Sequence, residues 1–364
     1  MRPRLLLLGS AAILAVGAGA TCATSDGDHA PSPGNPVIDA ASGTSWETGQ
    51  REDAPSADDL SKPRCEQNLV RSATCTHPPV HAECAGGWCR IPRGCFVAGS
   101  PECEQQRGRD TEGQVEVTLT HDFEIQQLET SRSEWLGLGF PSPPPDPLAD
   151  LKPCEAPGCP ITNVTLQAAA QFANRLSESK GLPACYRFEQ CTTDDASAGL
   201  SVCLRWGQTT ESLFDCTGYR LPTELEWEYA ARAGTRTALF TGELVYTRDC
   251  ERIDVADRAG WYCANAGGVV HPGGQKAPNG WGLYDTAGNL FEWVTTNWST
   301  WGYGKGPLVD PFSRLDSSPT SDIARGGAGF ATLSSMRAAQ RFELPTLATG
   351  VGYGFRLVRT LPNR

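Results

Sequence analysis

The sequence predicts an irregular α+β domain, loop-rich and tied by disulfides. Short alternating apolar runs are bounded by turn residues, and only two or three segments carry helical periodicity. Gly 39 and Pro 27 interrupt the chain too often for a helical bundle, while aromatics at 8% argue against a disordered chain. The chain also carries 15 cysteines behind what reads as an export signal. At 364 residues it is long enough to bury a sizeable core. A net charge of -11 leaves no visible basic face for phosphate, which excludes duplex nucleic acid as a partner.

In chain order, residues 1–21 read as a signal peptide. Arg2 and Arg4 precede an uncharged run from Leu5 to Ala20, shorter than a spanning helix requires. Cleavage follows Ala18-Gly19-Ala20, or Cys22 becomes the acylated first residue of a lipoprotein. The candidate lipobox Gly19-Ala20-Thr21-Cys22 lacks the usual Leu or Val. Cysteine parity argues the other way, because setting Cys22 aside leaves an even number to pair. Lipidation at Cys22 is the favoured reading, and it places the protein on the outer membrane, periplasmic face or cell surface. Residues 22–63 form an acidic tether rich in Ser, Pro, Gly and Ala, too poor in apolar side chains to offset its ordering entropy. The folded domain is expected over residues 64–364.

Cysteines 65, 75, 84, 89, 95 and 103 crowd the start of the domain. The run Cys75-x-His77-x3-His81-x2-Cys84 has the look of a zinc site, but in an exported chain disulfides are the expected use. Trp88 to Ser100 reads as a turn between short strands. Val115, Val117 and Leu119 alternate as a strand does, with Phe123 and Ile125 beyond. Ser131 and Glu134 have capping-box spacing and open a helix through Trp135; Pro141 to Pro147 is loop. A longer helix follows Thr165, with Leu166, Ala169, Phe172, Ala173 and Leu176 on one face and Gly181 at its end. Another opens at the box Thr223/Glu226, buries Trp227, Ala230 and Ala231, and stops at Gly234. Between them, residues 182–216 read as a surface insertion held by Cys185, Cys191, Cys203 and Cys216. Beyond residue 293 little patterning is evident before a final strand, Tyr353 to Val358.

The stretch from Gly282 to Trp293 concentrates chemistry. Asp285 and Glu292 flank Gly288, whose freedom at positive φ lets the backbone curl. Such a loop offers carboxylate and main-chain oxygens to a hard cation, calcium above all; equally, it reads as a tight acidic turn with ordinary core aromatics.

Several blocks together resemble the formylglycine-generating enzyme, or sulfatase-modifying factor, family. They are Ile91-Pro92-x-Gly94-x-Phe96-x-x-Gly99-Ser100, Pro160-Ile161-x-x-Val164-Thr165, and Tyr219 through Gly234. Asn279-Gly280-Trp281 running into the central stretch, Arg325-Gly326-Gly327, Arg337-Ala338-Ala339-x-Arg341 and Gly354-Phe355-Arg356-Leu357 complete the series, in family order. The resemblance implies one loop-rich domain related to C-type lectins. It also implies a structural calcium ion held by Asp285, the carbonyls of Gly288 and Leu290, and Glu292. A second ion would begin at Asn265 and the Ala266 carbonyl, but its acidic loop is replaced by Gly267 to Pro272, so that site is not expected.

Catalysis is where the resemblance breaks. The family's copper-binding thiols correspond to Ala331 and Met336, its oxygen-handling serine to Ala328, and its active-site tryptophan to Phe291. One thioether is not a copper site, so copper and formylglycine chemistry are not expected. The iron-dependent branch of the superfamily needs a histidine triad. This chain has only His29, His77, His81, His121 and His271, with no His-x-x-x-His on a helix. Glu224 and Glu228 read as solvent-facing or paired with Arg220 and Arg232. Arg325, Arg337, Arg341 and Arg356 form either an anion cleft or braces for irregular backbone. Two function classes follow. One is a calcium-stabilised envelope module binding a protein, peptide or glycan; the other is a periplasmic oxidoreductase or modifying enzyme of altered chemistry acting on a peptide or peptidic metabolite.

Overall fold

The computed structural model describes residues 72–108, 111–144, 151–193, 201–295, 306–312, 321–345 and 347–362. All lie within one compact unit, Lys62–Arg364. The signal segment, the tether, Cys22 and Cys65 fall outside the described residues. No helix among the described residues is long and apolar enough to cross a membrane.

Three small sheets and a hairpin are stitched together by long coil. In the first sheet the strand order is β1 (Cys84–Ala85), β2 (Trp88–Ile91), β5 (Phe123–Gln126), β14 (Val358–Thr360) and β8 (Tyr219–Arg220). The second places β10 (Leu308–Val309) parallel to β4 (Val115–Leu119), which pairs with β3 (Gly94–Ala98). The third orders β12 (Phe342–Pro345), β11 (Ser321–Arg325), β9 (Phe291–Val294) and β13 (Tyr353–Gly354). The alternation in β4 is real: Val115, Val117 and Leu119 are buried and Glu116 and Thr118 only partly so.

Helix starts follow local chemistry. The capping boxes Ser131/Glu134 and Thr223/Glu226 are both formed, opening α1 (Arg132–Gly137) and α3 (Glu224–Arg232). Thr165 caps α2 (Leu166–Ser179) by accepting from the Ala168 amide at 3.0 Å. Gly181 ends α2 at φ +69, and α3 closes with Ala233 as well as Gly234 in the left-handed region. A short α4 (Asp254–Ala259) carries no side-chain cap. The α2 face Ala169, Phe172 and Ala173 packs with Trp135, Phe291, Trp293 and Phe355 in the largest apolar cluster.

One expectation holds and gains its form, and two needed correction. The cysteine-rich insertion is a β-hairpin, β6 (Tyr186–Thr193) with β7 (Ser201–Gln208), cross-linked by Cys191–Cys203 and anchored by Cys185–Cys216. The region after residue 293 does hold regular structure, β11 and β12; β11 is buried at all five residues, so it shows no alternation to read. The expected final strand is two strands in two sheets, β13 and β14, with Phe355 to Leu357 crossing between them.

The remaining disulfides are Cys75–Cys95, Cys84–Cys89, Cys154–Cys159 and Cys250–Cys263, and Cys103 is disulfide-bonded as well. Every described cysteine is therefore paired, and the zinc-like run at Cys75 and Cys84 has spent its thiolates.

Candidate functional site

The loop before β9 is built around left-handed residues. Asp285, Gly288 and Asn289 sit at φ 55, 83 and 65. A side chain at Gly288 would collide with the Trp261 carbonyl, so glycine is required there for space as well as for φ. Asp285 is fully buried. Its Oδ2 accepts from the Gly274 amide at 2.7 Å, while Oδ1 has no hydrogen-bond partner. Glu292, next in the strand after Phe291, points to the opposite face. Its Oε2 accepts from Arg356 Nε at 2.6 Å and Trp227 Nε1 at 2.8 Å, and its Oε1 from Arg356 Nη2 at 2.7 Å.

A third carboxylate, Glu129, completes this region. It reaches the loop from the turn after β5 and accepts from Asn289 Nδ2 at 2.6 Å and the Leu290 amide at 3.1 Å. Burial, then the nearby Asp285 and Glu292 carboxylates, hold its pKa well above the ordinary glutamate range despite Arg356. Burial also pushes Asp285 upward, against the Gly274 amide and Arg356. Three carboxylates thus face one guanidinium in a water-poor place. With all three ionised, the excess is two negative charges. That imbalance, and the orphaned Oδ1 of Asp285, suit a divalent cation with oxygen ligands. Glu292 fits less openly, since Oε1 alone keeps a spare lone pair.

Asn265 and the Ala266 carbonyl, where a second ion would begin, have protein partners. His271 Nε2 lies 2.9 Å from the Ala266 carbonyl. Asn265 Oδ1 accepts from the Tyr262 amide, and its Nδ2 donates to Asp257 and the Gly260 carbonyl. The His271 ring stacks on Trp261 with centroids 3.7 Å apart.

Ala328, Ala331, Met336 and Phe291, the positions expected to match the family's catalytic residues, are packed. Ala328, Ala331 and Phe291 belong to the largest apolar cluster, and Met336 to another with Leu333 and Tyr262. Phe291 rests on Phe342 at 4.6 Å, Tyr353 at 5.7 Å and Phe330 at 6.1 Å between ring centroids. Phe330 is 42% exposed, so this patch of rings reaches the surface. Cys263, whose amide donates to the Ala331 carbonyl, is disulfide-bonded to Cys250.

The four arginines are braces and form no anion cleft. Arg325 donates to Glu224, Glu228 and the carbonyls of Ala338 and Ala339. Arg341 joins Glu224, and Arg337 spans Glu104, Glu112 and the Ser334 and Gln106 carbonyls. Arg356 adds the Tyr284 carbonyl to its Glu292 pair. All four are buried. Glu224 and Glu228 are buried too, which corrects the solvent-facing reading. Glu228 pairs with Arg232 as expected, but Glu224 pairs with Arg325 and Arg341, far along the chain.

Sequence reading missed Glu129, Asn289 and Asp322. Glu129 and Asn289 carry no local signal, because they meet across 160 residues. Asp322, on β11, is 5% exposed and accepts no hydrogen bond among the described residues; burial alone pushes its carboxyl up to about 6. The register pairs Ala324 with Trp293, which puts Asp322 on the same sheet face as Trp293 and Phe291.

Comparison with known proteins agrees with this architecture. The family described as "Sulfatase-modifying factor enzyme 1-like domain" matches residues 78–361. Chaperone protein LppX of Paenibacillus barcinonensis is 26% identical over 261 residues, covering 67% of this chain and 82% of its own. The formylglycine-generating enzyme of Thermomonospora curvata is 34% identical over 118 residues, 30% of this chain and 38% of the enzyme. Among solved structures, Treponema denticola variable protein 1 superposes with a TM-score of 0.57 at 21% identity, over 78% of this chain and all of that one. PvdO from Pseudomonas aeruginosa gives 0.56 at 23%, over 75% and 94%. These two likenesses establish the fold.

Proposed function

The chain belongs to the sulfatase-modifying factor family, and on that footing we propose that it is a calcium-braced binding module of the cell envelope without formylglycine-generating activity. The observation that carries this reading is the chemistry of the old catalytic positions. Ala331, Met336 and Ala328 offer no thiolate and no hydroxyl, and apolar packing fills the space around them. Copper chemistry needs two soft anionic ligands, and a lone thioether inside a core supplies neither the charge nor the geometry.

In place of a reactive centre stands the patch of Phe291, Phe330, Phe342 and Tyr353. Rings of this kind recognise extended peptide by burying apolar side chains against a rigid, low-entropy surface. The relative named a chaperone, matched over 82% of its length, supports a client protein as the ligand. Disulfides at every described cysteine support an oxidising compartment, and acylation at Cys22 would hold the module to the membrane. Calcium, held by Asp285 Oδ1, the Gly288 and Leu290 carbonyls and the remaining lone pair of Glu292, would neutralise the buried carboxylates and fix the loop.

Asp322 favours a second reading. A buried carboxyl with its pKa near 6 has the poise of a general acid or base, which is what a modifying enzyme of altered chemistry would need.

The test uses the purified protein with copper, oxygen and a cysteine peptide. No formylglycine should form by mass spectrometry, and a photo-crosslinker at Phe330 should capture an envelope protein in cells. Oxygen-dependent formylglycine would overturn the binding reading. Turnover of a peptide that is lost in Asp322→Asn would replace it with the second.

A further inference from the structure

A cavity of about 240 Å³ opens beside α1, lined by Gln126, Gln127, Leu128, Glu129, Ser131 and Glu134, with Pro160 and three glycines completing the wall. Its lining carries two carboxyl side chains, two carboxamides and no basic side chain. Neither carboxyl is saturated. Glu129 spends two of about four lone-pair sites, on Asn289 and Leu290. Glu134 spends three, on the Ser131 amide, the Ser131 hydroxyl and Gln126 Nε2. Arg356, the cation behind the wall, is already engaged by Glu292 and by the Gln126 and Gln127 carbonyls. The cavity therefore presents the Glu134 carboxylate and the acceptor oxygens of Glu129, whose carboxyl is held toward the neutral form by burial and its acidic neighbours, beside the partly exposed apolar face of Leu128 and the buried Pro160.

Size separates the possible occupants. At about 30 Å³ per water, the space equals about eight waters, far more than a bare ion fills. It suits a charged head on a short aliphatic stem. We propose that this cavity binds an organic ammonium group of lysine size, with the head between Glu129 and Glu134 and the stem along Leu128 and Pro160. An ammonium brings three donors, matching the free lone pairs and the Gln127 side-chain oxygen, and its stem removes apolar surface from water. This inference does not rest on the client-peptide reading, because amine binding is measured by itself and does not involve Phe330.

The probe is Nα-acetyl-lysine amide, titrated calorimetrically into the full chain with calcium in excess, against the norleucine analogue that lacks the amine. Only the lysine compound should bind. Glu134→Gln keeps the α1 capping box, since glutamine serves at that position, but removes the charge. It should weaken binding about tenfold or more, the scale of a lost hydrogen bond to a charged group. Amide shifts in the parent protein should appear at Gly87, Gln127, Gly158 and Gly273. Equal binding of the norleucine analogue, unchanged affinity in Glu134→Gln, or shifts located elsewhere would each overturn the assignment.

Discussion

Raising the pH should loosen the segment that carries β10, because a buried imidazolium clamps it. His121 is 6% exposed and stacks on Phe214. Its Nε2 lies 2.9 Å from Glu226 Oε1, and its Nδ1 makes a 3.2 Å ion-pair contact with Asp310 Oδ1, just beyond β10. Asp310 also accepts from the Thr120 amide and hydroxyl. Desolvation pulls the imidazole down, but Asp310 and Glu226 outweigh it and, against the nearby Arg220, lift it from 6.5 to about 9. A group whose pKa is raised on folding adds stability that is complete below its unfolded value and disappears as pH climbs through its folded one. The window is therefore 6.5 to about 9. At about 1.4 kcal/mol per pKa unit, the clamp is worth about 3 kcal/mol at neutral pH and below. That corresponds to roughly 6–12 °C in Tm for a domain of this size. The assay is urea unfolding across the window for the parent protein and His121→Gln. The stability gap between them should narrow by about 3 kcal/mol between about pH 6 and about pH 10. A gap that stays constant would show that His121 is neutral in the fold and refute the clamp.

Two further outcomes are expected. Chelating calcium should lower Tm, since an ion at one hundred times its Kd contributes about 2.7 kcal/mol, and Asp285→Ala should remove that response; an unchanged melting curve with and without chelator would exclude the ion. Arg356→Met should cost about 3–5 kcal/mol in denaturant unfolding, because it strands the buried Glu292 with Trp227 alone, and a loss under about 1 kcal/mol would refute the bracing role.

Helix starts were legible because capping is local: Ser131, Thr165 and Thr223 act on amides three residues away, and the structure forms all three caps. The half-buried strand β4 was legible from its alternation. Strands β9 and β11 were not, since every residue in both is buried and no period survives. The hairpin β6–β7 was hidden for another reason. Its cysteines announced a cross-linked insertion, but four cysteines admit three pairings, and only the cross-strand register selects Cys191 with Cys203.

The sequence by itself determined that Ala328, Ala331 and Met336 carry neither thiol nor hydroxyl, because residue identity needs no folding. It also determined that Gly288 takes a positive φ, a property of one residue and its missing Cβ. Only the tertiary structure decided how charge is shared. It joined Glu129 to Asn289 across 160 residues, gave Glu292 to Arg356, and left Asp285 Oδ1 unmatched. Buried electrostatics depends on distance and desolvation, and both are set by which distant segments pack together.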